Sequence, residues 1–349
     1  MGFFAFFQSD YHSTIKKNLK EVARALKASH IRPSQRSKPQ ESPQLAPLPG
    51  PTLRPFPVDL PLDLCRYIFE LAARHDPRTA SELLLVSRLV HIWIKPVMYC
   101  VVLLDSPTRL SRIMRRRTMK NVHGDVHDLG RYVKAVGVKV REACQTTAFL
   151  SACPNIKHLA CWSDSDLYLS LIKPSFLHLR PHSLSLSLSP VFDVPDFQDP
   201  FFSEITHLHI LDSACYWRKW DAFHMMPSLT HLAFSCISFH PDTFECLKRL
   251  LRDSPNLRQL VLLTGPWFRG PVGVDRELLG DIRVVFVQET DPMADWKDFA
   301  MGGDDNMWAY AEKITALRRW TWKVKALPKT PDMQFLEDHQ LWSTSLYTV

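Results

Sequence analysis

No apolar stretch among the 349 residues approaches the roughly 18 needed to span a bilayer; residues 97–104 (VMYCVVLL) are among the longest. A soluble protein without a transmembrane segment is therefore expected. The chain opens on MGFFAFF, which lacks a preceding basic region and an obvious cleavage site, so no secretory signal is read there. None of the eight cysteines forms a C-x-x-C pair. That argues against a disulfide framework and for buried, reduced thiols in an intracellular chain, cytoplasmic or nuclear. The sequence also has no phosphate loop, no Rossmann glycine motif, no HExxH and no GxSxG. Scattered Ser, His and Asp do not make a catalytic triad without geometry, so no catalytic residue and no cofactor are assigned. His207-x-His209 lacks a third ligand at a recurrent metal spacing, and no metal site is assigned either.

What is present is enough for a substantial core: 46% hydrophobic residues against 23% charged. At roughly 150 residues per domain the length allows about two domains. The net charge of +7 would suggest a nucleic-acid binder if it were spread over the chain. It is not: residues 1–54 hold nine Lys or Arg against Asp10, Glu21 and Glu41, so the other 295 residues carry about +1. The body gives little reason to expect a phosphate-tracking surface. One dense basic run, Arg109, Arg112, Arg115, Arg116, Arg117 and Lys120, reads first as a solvated helix face. In the basic extension, Ile15, Leu19, Val22 and Leu26 give residues 14–29 one apolar stripe, and prolines crowd residues 31–61 as a linker.

Residues 57–100 read as a small helical module. Pro61 suits a first helical position, Leu64, Ile68 and Leu71 form one helix face, Asp76-Pro77 interrupts, and a second helix is expected over 80–90 before Trp93 and Ile94. Such a cluster is too small to be stable without a partner or the following domain. Residues 60–99, LPLDLCRYIFELAARHDPRTASELLLVSRLVHIWIKPVMY, resemble an F-box module, particularly the F-box-like proteins of large fungal families. Leu60-Pro61, Asp63-Leu64, Ile68-Phe69, Leu85-Val86-Ser87 and Trp93 carry the resemblance, over roughly 40 of 349 residues; SRLVHIWIKPVMY departs from the family's usual Cys-Arg and Trp arrangement. The resemblance implies that Leu60, Pro61, Leu64, Ile68, Leu85, Val86 and Trp93 serve a Skp-type adaptor of a cullin-RING ubiquitin ligase.

Beyond the arginine run, after connecting helices and first repeat elements over 101–153, one phrase recurs: apolar-x-x-Leu-x-apolar at 156–161, 205–210, 229–234 and 257–262. With 184–188 and 282–287 the starts lie 28, 21, 24, 28 and 25 residues apart. That spacing suggests one strand and one return per unit, an irregular leucine-rich-repeat solenoid over 154–295. Helical returns are read at 143–152, 220–226 and 242–252, and a closing helix over 308–323, after a loop at 298–306, would cap the solenoid within 296–349. The fold class expected is thus α/β, an F-box-like helical module after the extension of 1–56, followed by the solenoid. Positions between the leucines would face the open sheet, making His158, His207, His209, His231 and Gln259 candidates for binding a partner.

These readings converge on a noncatalytic subunit that holds an adaptor through 57–100 and positions a target protein, of unknown identity, near ubiquitin-transfer machinery. The alternative is a leucine-rich-repeat interaction scaffold without ligase engagement, and a weaker one is a basic-tail nucleic-acid binder. Oligomeric state is not legible in the sequence.

Overall fold

The computed structural model describes residues 60–118, 129–163, 165–188, 195–211, 222–235, 241–265 and 275–325. The helix expected over 14–29, the proline-rich stretch up to 59, Lys120, Cys215, Cys236 and the segment from 326 lie outside them. The chain divides into two units, one up to Met98 and one from Tyr99 onward.

In the first unit, α1 (Leu62–His75), α2 (Pro77–Leu83) and α3 (Arg88–Cys100) follow one another closely. Local chemistry sets the breaks. The Asp76 carboxylate accepts hydrogen bonds from the Arg78 and Thr79 amides at 3.0 and 3.3 Å, with Pro77 at the first helical position, so α2 starts where the sequence was expected only to pause. The helix expected over 80–90 is instead divided: α2 ends at Leu83, and the Ser87 hydroxyl accepts from the Val90 amide at 3.2 Å to start α3. Phe69, Ala73, Ala80, Leu83, Val90 and Ile94 form the core, with Trp93 tilted against Phe69 at 6.5 Å between ring centroids. Six buried apolar side chains are little for a unit of this size.

The second unit alternates strands with helices or short 3₁₀ turns. Strands β1 (Val101–Leu104), β2 (Ala135–Val138), β3 (His158–Cys161), β4 (Ser183–Leu186), β5 (His207–Ile210), β6 (His231–Phe234), β7 (Gln259–Thr264) and β8 (Val284–Gln288) form one parallel sheet in sequence order. Between them run α4 (Pro107–Thr118), α5 (Ala143–Ser151), α6 (Asp166–Phe176), α7 (Pro241–Asp253) and α8 (Arg276–Gly280). Of the return expected at 220–226, residues 220 and 221 lie outside the described residues, and a 3₁₀ turn spans Phe223–Met225. Alternate strand residues, among them Leu104, Val136, Leu159, Leu184, Leu208, Leu232, Leu260 and Val284, meet these connections in the main core.

The other sheet face is covered too. After β8 come α9 (Pro292–Ala300) and α10 (Met307–Lys325). Trp296 of α9 packs with Ala135 and Ala160, and Met307, Trp308 and Ala311 of α10 pack with Ala233, Val261, Leu263 and Val285. Small residues on this face let the aromatics in. A Cβ on Gly137 would stand 2.7 Å from both the Leu103 and Trp162 side chains, and Trp162 meets Trp296 edge-on at 5.5 Å. At the α9–α10 turn, a Cβ on Gly303 would lie 2.1 Å from the Asp298 carboxylate, which accepts from the Asp305 amide and from Asn306 Nδ2.

The leucine-rich-repeat solenoid expected from the sequence is therefore corrected: the sheet is open, runs from β1 to β8 and carries helices on both faces. The misreading has a physical cause. A parallel strand needs a crossover of a dozen or more residues before the next one, so a spacing of 21 to 28 residues does not separate a repeat from an ordinary α/β unit. The closing helix corresponds to α10, but it lies against β7 and β8 rather than beyond the last strand. Part of the expected loop at 298–306 belongs to α9, which Asp291 starts by accepting from the Met293 amide at 3.0 Å. No helix among the described residues is long and apolar enough to cross a membrane.

Candidate docking face and the buried histidine row

Helix α1 has two apolar faces, and only one is used internally. At 100° per residue, Phe69 and Ala73 point to the core, while Leu64, Tyr67, Ile68 and Leu71 line the opposite side at i, i+3, i+4 and i+7. All four are exposed; Leu64 stands 50% open and Tyr67 60%. Leu60 and Leu62 extend this apolar surface at the start of α1, Leu85 in the turn after α2 is 79% open, and Leu89 and Ile92 of α3 are exposed as well. Nine large apolar side chains exposed on about 40 residues far exceed the scattered leucines of an ordinary surface. Charged groups hold the flank in shape: Arg66 Nε meets Glu70 at 2.7 Å, and Arg74 meets the same carboxylate at 3.5 Å.

The residues implicated by resemblance fall into two groups. Leu60, Pro61, Leu64, Ile68 and Leu85 are exposed, whereas Val86 and Trp93 are half-buried and pack on the unit's own core. Leu62, Tyr67 and Ile92 were not singled out from the sequence. The i, i+3, i+4, i+7 spacing was the available signal for Tyr67.

The five candidates on the sheet occupy a different environment. His207 and His231 stack with ring centroids 4.1 Å apart, and Trp308 stands edge-on to both at 5.2 and 5.9 Å. His158 meets Phe299 edge-on at 5.5 Å. Gln259 is buried and donates to Thr315 Oγ1 at 3.5 Å, while its Oε1 has no partner among the described residues. His209 lies between two hydroxyls, Ser185 Oγ 3.0 Å from Nδ1 and Ser235 Oγ 2.9 Å from Nε2. The expected open recognition face is thus closed by α9 and α10, which period-two reasoning along the strands had no means of detecting. Burial holds the imidazoles neutral: His158 and His209 are pushed down to about 4 and His207 to about 3. Burial also lowers His231, against the opposing pull of Glu312 at 3.4 Å. In the basic run, Arg109 pairs with Asp105 at 2.7 Å. No group of three or more His, Cys, Asp or Glu among the described residues could hold a metal ion.

Comparison with protein-family models, with curated proteins and with solved structures finds no match to this chain.

Proposed function

We propose that this chain is a substrate-recruiting subunit of a cullin-RING ubiquitin ligase that docks a Skp-type adaptor through α1–α3, while the parallel-sheet unit holds the target protein. The observation that carries the reading is the outward stripe of Leu64, Tyr67, Ile68 and Leu71, opposite a face that already fills its own core. A helix presenting anchors at that spacing suits a hydrophobic groove on a partner. The resemblance of residues 60–99 to an F-box adds to it, because the exposed Leu60, Pro61, Leu64, Ile68 and Leu85 are among the positions which that resemblance implicates. On this reading the chain contributes proximity rather than chemistry: it raises the local concentration of target lysines at the transfer machinery.

Calorimetry of the full chain against a purified Skp-type adaptor tests it, with Leu64→Ala/Ile68→Ala as the control. Two central anchors at roughly 2 kcal/mol each predict a loss of affinity of about a hundredfold or more. Both side chains are exposed, so the variant keeps its melting temperature. No binding by folded wild type, or equal binding by the double variant, would leave the interaction scaffold without ligase engagement as the better account.

A further inference from the structure

At the carboxyl ends of β7 and β8, α9 and α10 leave a cavity of about 370 Å³ against the sheet. The volume is in the range of small-molecule sites, roughly 300–1,000 Å³. Leu263, Val287 and Met307 give it apolar walls, and Glu289, Asp295, Asp304 and Asp305 bring four carboxylates against one ammonium, Lys313. Lys313 is taken: it reaches the Asp304 carboxylate at 3.6 Å and the Asp304 carbonyl at 3.2 Å. One oxygen of Asp295 is also occupied, accepting from the Met307 amide at 2.6 Å at the start of α10.

Glu289 is held by a different device. Its amide extends the β7–β8 ladder, donating to the Thr264 carbonyl at 2.9 Å, and its Oε1 accepts from Ser235 Oγ at 3.4 Å. Behind Ser235 stands buried His209, and behind that Ser185. A neutral imidazole has one donor and one acceptor nitrogen. Once Ser235 donates to the carboxylate, Nε2–H must donate to Ser235, and Ser185 must donate to Nδ1. Every hydrogen of this buried line then points towards Glu289. A smaller recess of about 10 Å³ adjoins the cavity, sharing His209, Pro292, Asp295 and Met307 with it. Trp296 lines that recess, is 5% exposed, and has an indole Nε1–H without an acceptor among the described residues. The cavity therefore offers a fixed anion and apolar walls.

We infer that this cavity binds an alkylammonium or alkylguanidinium group, its cation on Glu289 and its stem along Leu263, Val287 and Met307. The lysine or arginine side chain of a polypeptide and a free small amine share this chemistry. The assignment does not rest on the adaptor reading and does not fall with it. Burial pushes the Asp295 carboxyl up to about 6, with Asp298 and Asp305 adding to the rise, and a cation nearby would relieve that penalty.

The full chain is titrated by calorimetry with agmatine, with Nα-acetyl-lysine methylamide, and with the norleucine methylamide that has the stem without the charge. Saturable binding of the cations, absent for the norleucine compound, is the expected result, with at least a tenfold loss in Glu289→Gln and a smaller loss in Ser235→Ala. Preference for the lysine amide over agmatine identifies a peptide ligand; the reverse is resolved with Nα-acetyl-arginine methylamide, which matches agmatine if the ligand is a peptide arginine and binds more weakly if it is a free amine. No saturable binding of either cation on the order of 10 mM, equal binding of the norleucine compound, or folded Glu289→Gln binding like wild type overturns the inference. If Glu289→Gln fails to fold, the charged-against-neutral comparison on wild type decides alone.

Discussion

The helical unit and the sheet unit handle polarity in opposite ways. In the first, leucines, a tyrosine and isoleucines stand open while six apolar side chains serve as core; in the second, His209, His231, Gln259, Ser183 and Ser185 lie buried on a sheet face. Exposed apolar area costs solubility, and buried polar groups cost desolvation. Each departure therefore needs a compensation, and the two differ. The buried polar groups find it largely within the chain, in the Ser185–His209–Ser235 line, the His207–His231 stack and Glu312. The stripe on α1 has no covering element among the described residues of its own unit; on the docking reading, the adaptor supplies the cover.

The strongest way to break this contrast is to truncate one leucine from each unit. Leu232, fully buried between Leu208 and Leu260 in the sheet, should cost about 2–5 kcal/mol as Leu232→Ala, whereas exposed Leu64→Ala should stay within about 0.5 kcal/mol. Chemical denaturation of the two variants measures both. A comparable loss at Leu64 would mean that its side chain is internal and would remove the docking stripe.

Acid sharpens the contrast from the other side. His158, His207 and His209 have folded pKa values of about 4, 3 and 4, below the ordinary 6.5. A lowered histidine pKa means that the unfolded chain binds the proton first. Their stabilisation is present above pH 6.5 and lost as pH falls towards 4 and then 3; each tenfold difference in proton affinity between the folded and unfolded chain is worth about 1.4 kcal/mol. Asp295 runs the opposite way: raised from 3.8 to about 6, its contribution is present below 3.8 and lost as pH rises through 6. Amide exchange in β4–β6, compared at pH 7.5 and 4.5 after correction for intrinsic rates, should show loosening at the lower value. Unchanged protection would mean that the histidines stay neutral at no cost, or are already open to water.

How much of this was legible follows from which residues carry pattern. The phrase apolar-x-x-Leu-x-apolar located β3, β5, β6 and β7, and alternation at 184–188 and 282–287 located β4 and β8, because alternate leucines must enter a core on one side. Strand β1 was hidden in VMYCVVLL, a continuous apolar run that helix and strand share, and β2 is AVGV, whose small residues carry little signal. The cover over the histidines was only half legible: the closing helix that became α10 was read, though not its place against the sheet, while α9 buries only Trp296 and so has no apolar stripe to read. On the docking face the sequence placed Leu64, Ile68 and Leu71 on one helix face by spacing, and the resemblance named Leu60, Pro61, Leu64, Ile68 and Leu85. That their side chains point away from Phe69 became visible only once α2 and α3 were placed against the other side of α1.

A second substitution in the sheet unit probes close approach rather than polarity. Gly137→Ala puts a methyl 2.7 Å from the side chains of Leu103 and Trp162, with Trp162 itself against Trp296. Overpacking of this kind costs about 1–3 kcal/mol. It should also shift the tryptophan fluorescence, since α9 must move away from β2 to make room. A silent Gly137→Ala would show that α9 sits loosely on the sheet, and with it the cover over His158.

The smallest expected effect belongs to the helical unit and tests whether its outward stripe is held rigid. Asp76 accepts from two amides at the start of α2 and from the Thr79 hydroxyl at 2.7 Å, and in doing so fixes the turn that sets α2 against α1. Asp76→Ala removes one cap, worth about 1 kcal/mol. In a unit with six buried apolar side chains that is a sizeable share of the stability, so Asp76→Ala should loosen amide exchange throughout α1–α3 and leave β4–β7 unchanged. On the docking reading, adaptor affinity then falls only modestly, because the partner must reorder the helices but loses no anchor. A drop as large as that of Leu64→Ala/Ile68→Ala would place Asp76 itself in the interface.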